Sequence, residues 1–373
     1  MDSQSKDPAS EQIYTLNLGP QHPSTHGVLR VLLDLDGEFI LKADPIIGYG
    51  HRGHEKMGEN RLYSQFLPNT SRMDYLSGMI YNHGYVLAVE KLTGVEAPER
   101  ARYIRVIASE LNRISSHLLW FGTYLMDLGG FTPFLYAFDD REQILDILDH
   151  VTGSRLTYSY CRFGGVSRDI DSQFIDMTRA FLKRMEARWS VYDALVTRNV
   201  IFINRTRDVG VIDRELARQY GVTGPNLRAC GVPYDVRRAE PYEIYDRFDF
   251  EIPVGERGDA LDRYLVRFRE MEQSCRIIDQ ALDQIPVGPV LTEKVSLRLK
   301  PPVGEIYFAF ESARGLTAYY LVSDGSTVPY RCHIRVPSFG NLNVLTEVLP
   351  DTLVADAISI LGSIDLVIPE IDR

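Results

Sequence analysis

The strongest constraint on the fold is a run beginning at Pro98 in which Ile104, Ile107, Leu111, Ile114, Leu118, Phe121 and Leu125 recur at spacings of three and four. That spacing puts all of them on one side of an α-helix. The run stops at Gly129-Gly130, so the helix holds about 30 residues and spans roughly 45 Å at 1.5 Å per residue. A rod of that length needs neighbours along its seam, which predicts a helical bundle. Further helices are expected over about 136–151, 172–198, 210–220 and 259–285.

Both flanks have a different texture. Residues 13–18, 28–35 and 38–43 predict strands, the last two joined at Asp36-Gly37, because Asp-Gly between apolar runs is a strong hairpin signal. A proline-rich connection at 286–304 leads to expected strands at 304–311, 316–322 and 331–336 and short helices at 341–349 and 352–361. The fold class expected is α+β, a central long-helix bundle with N-terminal and C-terminal β-structure. The organisation expected is a flexible tail at 1–12, N-terminal β-structure at 13–60, a helical bundle at 61–286 and a C-terminal α/β region at 287–373 packing on the bundle.

A net charge of −10 argues against a nucleic-acid surface. No apolar run approaches the roughly 20 residues that a membrane-spanning helix needs, and the polar first dozen residues lack a signal-peptide core. The expectation is a cytoplasmic chain whose membrane contact goes through partners. Cys161, Cys230, Cys275 and Cys332 are far apart in sequence, so no C-x-x-C pair offers zinc or an iron–sulfur cluster a ligand set. No G-x-G-x-x-G follows a strand and no P-loop is present, so neither a flavin nor NAD is expected on this chain.

Four places carry candidate chemistry. The loop Gly19-Pro20-Gln21-His22-Pro23-Ser24-Thr25-His26-Gly27 sets two imidazoles beside a strand. Pro23 and Gly27 oppose the helix that i,i+4 metal ligation requires, which leaves hydrogen bonding, proton donation or a backbone-bonding role open. His51-Arg52-Gly53-His54-Glu55-Lys56 is a dense charged cluster, of the kind usually solvated. Asp74 is expected to cap a helix whose first turn holds Tyr75. Asp127 stands near the end of the long helix, where the terminal carbonyls disfavour a carboxylate, so a compensating partner such as a histidine is expected.

At these residues a resemblance becomes specific. GPQHPSTHGVLR, GYGHRGHEKM, SRMDYLSG, LAVEKLTG, MDLGGFTPF, CRFGGV, the DFEIPVGERGD segment, GEIYFAFESARG and SIDLVIPEIDR together resemble the D subunit of the respiratory NADH–quinone oxidoreductase, complex I. That family is similar in fold to the large subunit of nickel–iron hydrogenases, whose metal-binding cysteine pairs this chain lacks. The resemblance implies a cavity for a quinone headgroup as substrate, with His26 and Tyr75 bonding a quinone carbonyl and Asp127 as the partner of His26. It implies Arg52 and Arg162 near the terminal iron–sulfur cluster of a neighbouring chain, and no metal or cofactor on this chain. Thr157 stands where many relatives carry a histidine near that cluster, which puts a pH-linked role there in doubt. The implied partners are the other complex I chains: the cluster-bearing B subunit, the C and I subunits and the membrane-embedded H subunit. The implied place is peripheral, on the cytoplasmic side of the inner membrane. Two alternatives stay open: a sister complex fed by ferredoxin or another donor, and a hydrogenase-related scaffold without metal.

Overall fold

The computed structural model describes residues 13–20, 27–293 and 295–373. The tail 1–12, His22 and His26 lie outside the described residues. The chain begins with an antiparallel sheet of β1 (Tyr14–Leu18), β2 (Arg30–Asp36) and β3 (Phe39–Ile46). Asp36 pairs with Phe39, so the two-residue turn is Gly37-Glu38, one position later than Asp36-Gly37. The displacement accompanies a register shift between Asp34 and Leu35, an irregularity that the alternating pattern does not encode.

Two short helices follow, α1 (His54–Glu59) and α2 (Tyr63–Thr70), then α3 (Gly78–Thr93), α4 (Glu99–Asp127) and α5 (Phe131–Thr152). A tight hairpin of β4 (Cys161–Arg162) and β5 (Gly165–Val166) precedes α6 (Ser172–Tyr192), which runs into a π-turn at Asp193–Thr197. Next come α7 (Val200–Thr206), α8 (Arg214–Gln219), α9 (Pro225–Ala229), α10 (Val236–Ala239) and the long α11 (Ala260–Gln284). The chain continues through an antiparallel sheet of β6 (Gly304–Ser312), β7 (Gly315–Ser323) and β8 (Arg331–Arg335), then α12 (Pro337–Asn343), α13 (Leu345–Val348), α14 (Val354–Ile364) and α15 (Ile368–Asp372).

The 29-residue α4 is the axis of the molecule. Its apolar seam is buried as expected, but so are Arg105, Glu110, Arg113 and His117 on its other faces. A charge can occupy such a site only if it is paired. Arg105 meets Glu90 at 2.6 Å and Glu243 at 2.9 Å, Arg113 meets Glu110 at 3.1 Å, and His117 Nε2 lies 3.3 Å from Glu270. The larger apolar core surrounds α3, α4, α5, α6 and α11 and includes β6–β8, while a second core joins Leu29, Val31, Leu33 and Ile40 of the first sheet to Leu342, Ile360, Ile364 and Ile368. The second core brings the first and last elements together. The 351–354 segment completes that contact by bonding the free edge of β3, with Ile40 N–H donating to Thr352 O at 2.9 Å and Val354 N–H to Glu38 O at 3.0 Å. An otherwise exposed strand edge is thereby covered.

Candidate functional site

Tyr75 sits on a turn, not in a helix. The sequence predicts Asp74 as the cap of a helix beginning beside it, but α3 starts at Gly78, and Asp74 Oδ1 instead accepts from Leu76 N at 3.0 Å and Ser77 N at 3.1 Å. The other oxygen explains the difference. Asp74 Oδ2 accepts from Arg314 Nη1 at 2.7 Å, and both side chains are fully buried. Arg314 Nη1 also reaches Ser77 Oγ at 3.2 Å and Ser116 Oγ on α4 at 3.3 Å, while Nη2 donates to Asp365 Oδ1 at 3.2 Å. One guanidinium therefore ties α4, the Tyr75 turn and the end of α14 together.

Asp365 reaches Arg314 because its own backbone turns sharply, with φ at +60° just past the last turn of α14. Asp tolerates this left-handed conformation better than most residues. Three residues later, Ile368 packs where a Cβ on Gly27 would stand 3.3 Å from it. A Cβ on Gly19 would come within 2.1 Å of Leu29 O. The segment 365–368 thus meets Arg314, beneath the Tyr75 turn, through Asp365 and lies against Gly27 through Ile368.

The phenol of Tyr75 is 38% exposed although its turn is buried beneath it. Burial raises its pKa, the Asp74 and Asp365 carboxylates raise it further, and Arg314 opposes them. The ring is a protonated hydrogen-bond donor at neutral pH and is partly exposed. Behind the cluster, the Tyr81 hydroxyl donates to Glu370, which also accepts from Ser338 N at 3.0 Å. Burial and the nearby Asp74 charge push the Glu370 carboxyl up.

Asp127 closes α4 and is partly buried. It lies about 16 Å along the helix axis beyond Ser116, the α4 residue at the level of Arg314. No contact among the described residues joins Asp127 to Tyr75; the predicted partner of Asp127, His26, lies outside them. A groove of about 320 Å³ opens beside this helix end, lined by Leu125, Leu128, Gly129, Phe131, Leu195 and Ile201 among others.

Arg52 is exposed on the loop before α1. The cluster around it is not simply solvated. His54 is 1% exposed with both ring nitrogens lacking a bond among the described residues, and burial, followed by the charges of Arg52, His51 and Arg72, lowers its pKa to about 4. Glu55 accepts from Arg331 Nη2 at 2.8 Å and Ile334 N at 3.0 Å, and lies 2.9 Å from His333 Nδ1. Arg162 is exposed on the β4–β5 hairpin, its Nη1 donating to Ser159 Oγ at 3.0 Å. That hairpin is pinned from beneath: Asn82 Oδ1 accepts from Cys161 N at 3.1 Å, Glu90 Oε1 from Gly164 N at 2.6 Å, and Arg105 Nη2 donates to Arg162 O at 2.8 Å. Thr157 has φ at +55°. Arg52 and Arg162 stand on separate elements, with no described contact between them.

The sequence singles out Tyr75 but not what holds its turn: Arg314, Asp365, Ser77 and Ser116. The ESARG and SIDLVIPEIDR segments supply part of the signal. Among the described residues no group of three or more His, Cys, Asp or Glu side chains is arranged to hold a metal ion. Cys161, Cys230 and Cys332 are buried and Cys275 is partly so. Burial pushes the Cys161 thiol up to about 12, which suits an inert hydrophobe.

Comparison with known proteins shows the family. Residues 127–301 and 293–373 match the family described as respiratory-chain NADH dehydrogenase, 49 Kd subunit. The D subunit of the NADH-quinone oxidoreductase of Syntrophobacter fumaroxidans is 78% identical over 98% of both chains. The D subunit of Desulfotalea psychrophila is 57% identical over 97% of this chain and 98% of the relative, and that of Clostridium beijerinckii is 52% identical over 96% and 97%. At this identity and coverage, the chain belongs to the family of 49 kDa, or D, subunits of the respiratory NADH–quinone oxidoreductases.

Proposed function

We propose that this chain forms the quinone headgroup site of a proton-pumping NADH:quinone oxidoreductase. Tyr75 and His26 donate hydrogen bonds to a quinone carbonyl, and Asp127 orients and charges His26. Reduction of a quinone to a quinol consumes two electrons and two protons, so donors at the carbonyl oxygens stabilise charge as it develops. The observation that carries this reading is the partly exposed Tyr75 on a turn clamped by the buried Asp74–Arg314–Asp365 cluster.

The electrons arrive from an iron–sulfur cluster held by the B subunit, with Arg52 and Arg162 facing it. The C and I subunits and the membrane-embedded H subunit complete the surroundings, and the chain sits peripherally on the cytoplasmic side of the membrane. Among the described residues no helix is long and apolar enough to cross a membrane. The groove beside Gly129, with Phe131 and Ile201 exposed around it, supplies an apolar surface next to Asp127 for a membrane-embedded neighbour. Photolabelling of the assembled complex with an azido-quinone tests this. Labelled peptides containing Tyr75 or residues 19–28, protected by excess quinone, are expected; labels confined to other chains of the complex would refute the assignment.

A further inference from the structure

The loop that presents Arg52 is held by a residue far away in sequence. Asp372, on α15, is 6% exposed, and its two carboxylate oxygens accept from Gly48 N at 2.8 Å and Gly50 N at 2.6 Å. Its carbonyl oxygen lies 2.5 Å from His51 Nδ1, so that ring nitrogen carries the proton and donates. Three polar groups leading up to Arg52 are therefore fixed by one residue. On the far side Glu55 fastens the start of α1 to β8 through Arg331, His333 and Ile334, and Arg373 Nε approaches the same carboxylate at 3.5 Å. Between the two fastenings lie Arg52 and Gly53, the latter at φ +63°. Arg52 makes no ion pair with a described residue.

We infer that Asp372 is a positioning residue that holds the Gly48–His51 backbone so that Arg52 points at the cluster of the neighbouring chain. The inference rests on the reading of Arg52 given under the proposed function. A carboxylate accepting two backbone N–H groups forms charge-assisted bonds that fix direction as well as distance. A buried ion pair elsewhere in the fold would stabilise α15 without any bearing on Arg52. Here the bonds run to the backbone of the Arg52 loop itself, so losing them changes where the guanidinium stands.

Asp372→Asn keeps the volume but leaves only one good acceptor, with an amide N–H2 facing a backbone N–H. Gly50→Ala perturbs the same contact from the loop side, because a Cβ there would stand 3.1 Å from Asp372 Oδ2. In the assembled complex both variants should speed amide exchange at Gly48 and Gly50 by tenfold or more. They should also shift the paramagnetic resonance signal of the terminal iron–sulfur cluster and lower its reduction equilibrium severalfold. Arg52→Gln should shift that signal in the same direction, and Asp372→Asn combined with Arg52→Gln should match Arg52→Gln alone. If Arg52→Gln moves the signal while Asp372→Asn and Gly50→Ala leave it at wild type, Asp372 has only a structural role and the inference is wrong. Shifts that add in the double variant also contradict it. If Arg52→Gln itself leaves the signal unmoved, the reading of Arg52 fails and the inference falls with it.

Discussion

Arg314 illustrates how one buried side chain can tie distant segments together. It is fully buried among Asp74, Asp365, Ser77 and Ser116. Replacing it with Met leaves two carboxylates in the interior without their cation, a change that typically costs about 3–5 kcal/mol. Arg314→Met should lower unfolding stability by about that amount and reduce quinone activity more than Arg314→Lys, as measured by thermal unfolding and quinone kinetics. His54 makes a separate prediction about pH. Its pKa falls from 6.5 in the unfolded chain to about 4 in the fold, so the unfolded state binds the proton more readily. Stability is then full above pH 6.5 and declines as pH falls toward 4, by roughly 3 kcal/mol. His54→Leu should flatten that decline in a pH series of unfolding midpoints; an unchanged series would place the acid sensitivity elsewhere. Tyr75 and Asp127 were singled out at this scale by local signals: Asp127 by a helix end that stands where it was expected, Tyr75 by a helix start that the structure moves to Gly78. Arg314 was not, since the residue it pairs with, Asp74, lies 240 positions away.

Among the elements, α3 shows how closely the helices approach the sheet. A Cβ on Gly84 would fall 2.3 Å from the Phe310 ring, and that ring is buried and stacked on Tyr319 at 5.8 Å between centroids. Gly84→Ala should destabilise the chain by about 1–3 kcal/mol despite alanine's better helix propensity, and denaturant unfolding checks it. A gain in stability would mean that β6 can shift to make room. The long elements were legible: α4 ends within a residue or two of its expected limits, because a sustained run of apolar positions at three-four spacing leaves little choice of period. The short ones were not. Helices α1, α2 and α15 have 6, 8 and 5 residues, too few turns for a periodic signal, and α2 contains Pro68. Two of them flank the Arg52 loop, α1 following it and α15 bonding it through Asp372.

For the whole molecule, the first sheet and the last helices share one core, and the candidate site lies where they meet. That closure was invisible to a reading along the chain, which separated the N-terminal and C-terminal β-structure by the bundle. The order of motifs nevertheless pointed to the family, because each block marks a local turn or helix end that the fold later gathers. The central claim is that Tyr75 donates to the quinone. Tyr75→Phe removes one hydroxyl from a partly exposed ring and leaves the Asp74–Arg314–Asp365 cluster untouched, so the complex should assemble and pass electrons from NADH to artificial acceptors at the wild-type rate. A hydrogen bond contributes about 0.5–1.5 kcal/mol net, which corresponds to roughly a twofold to tenfold loss. Steady-state quinone reductase kinetics of the Tyr75→Phe complex should show at least that loss, most clearly with short-chain quinones. Quinone kinetics indistinguishable from wild type would contradict the account.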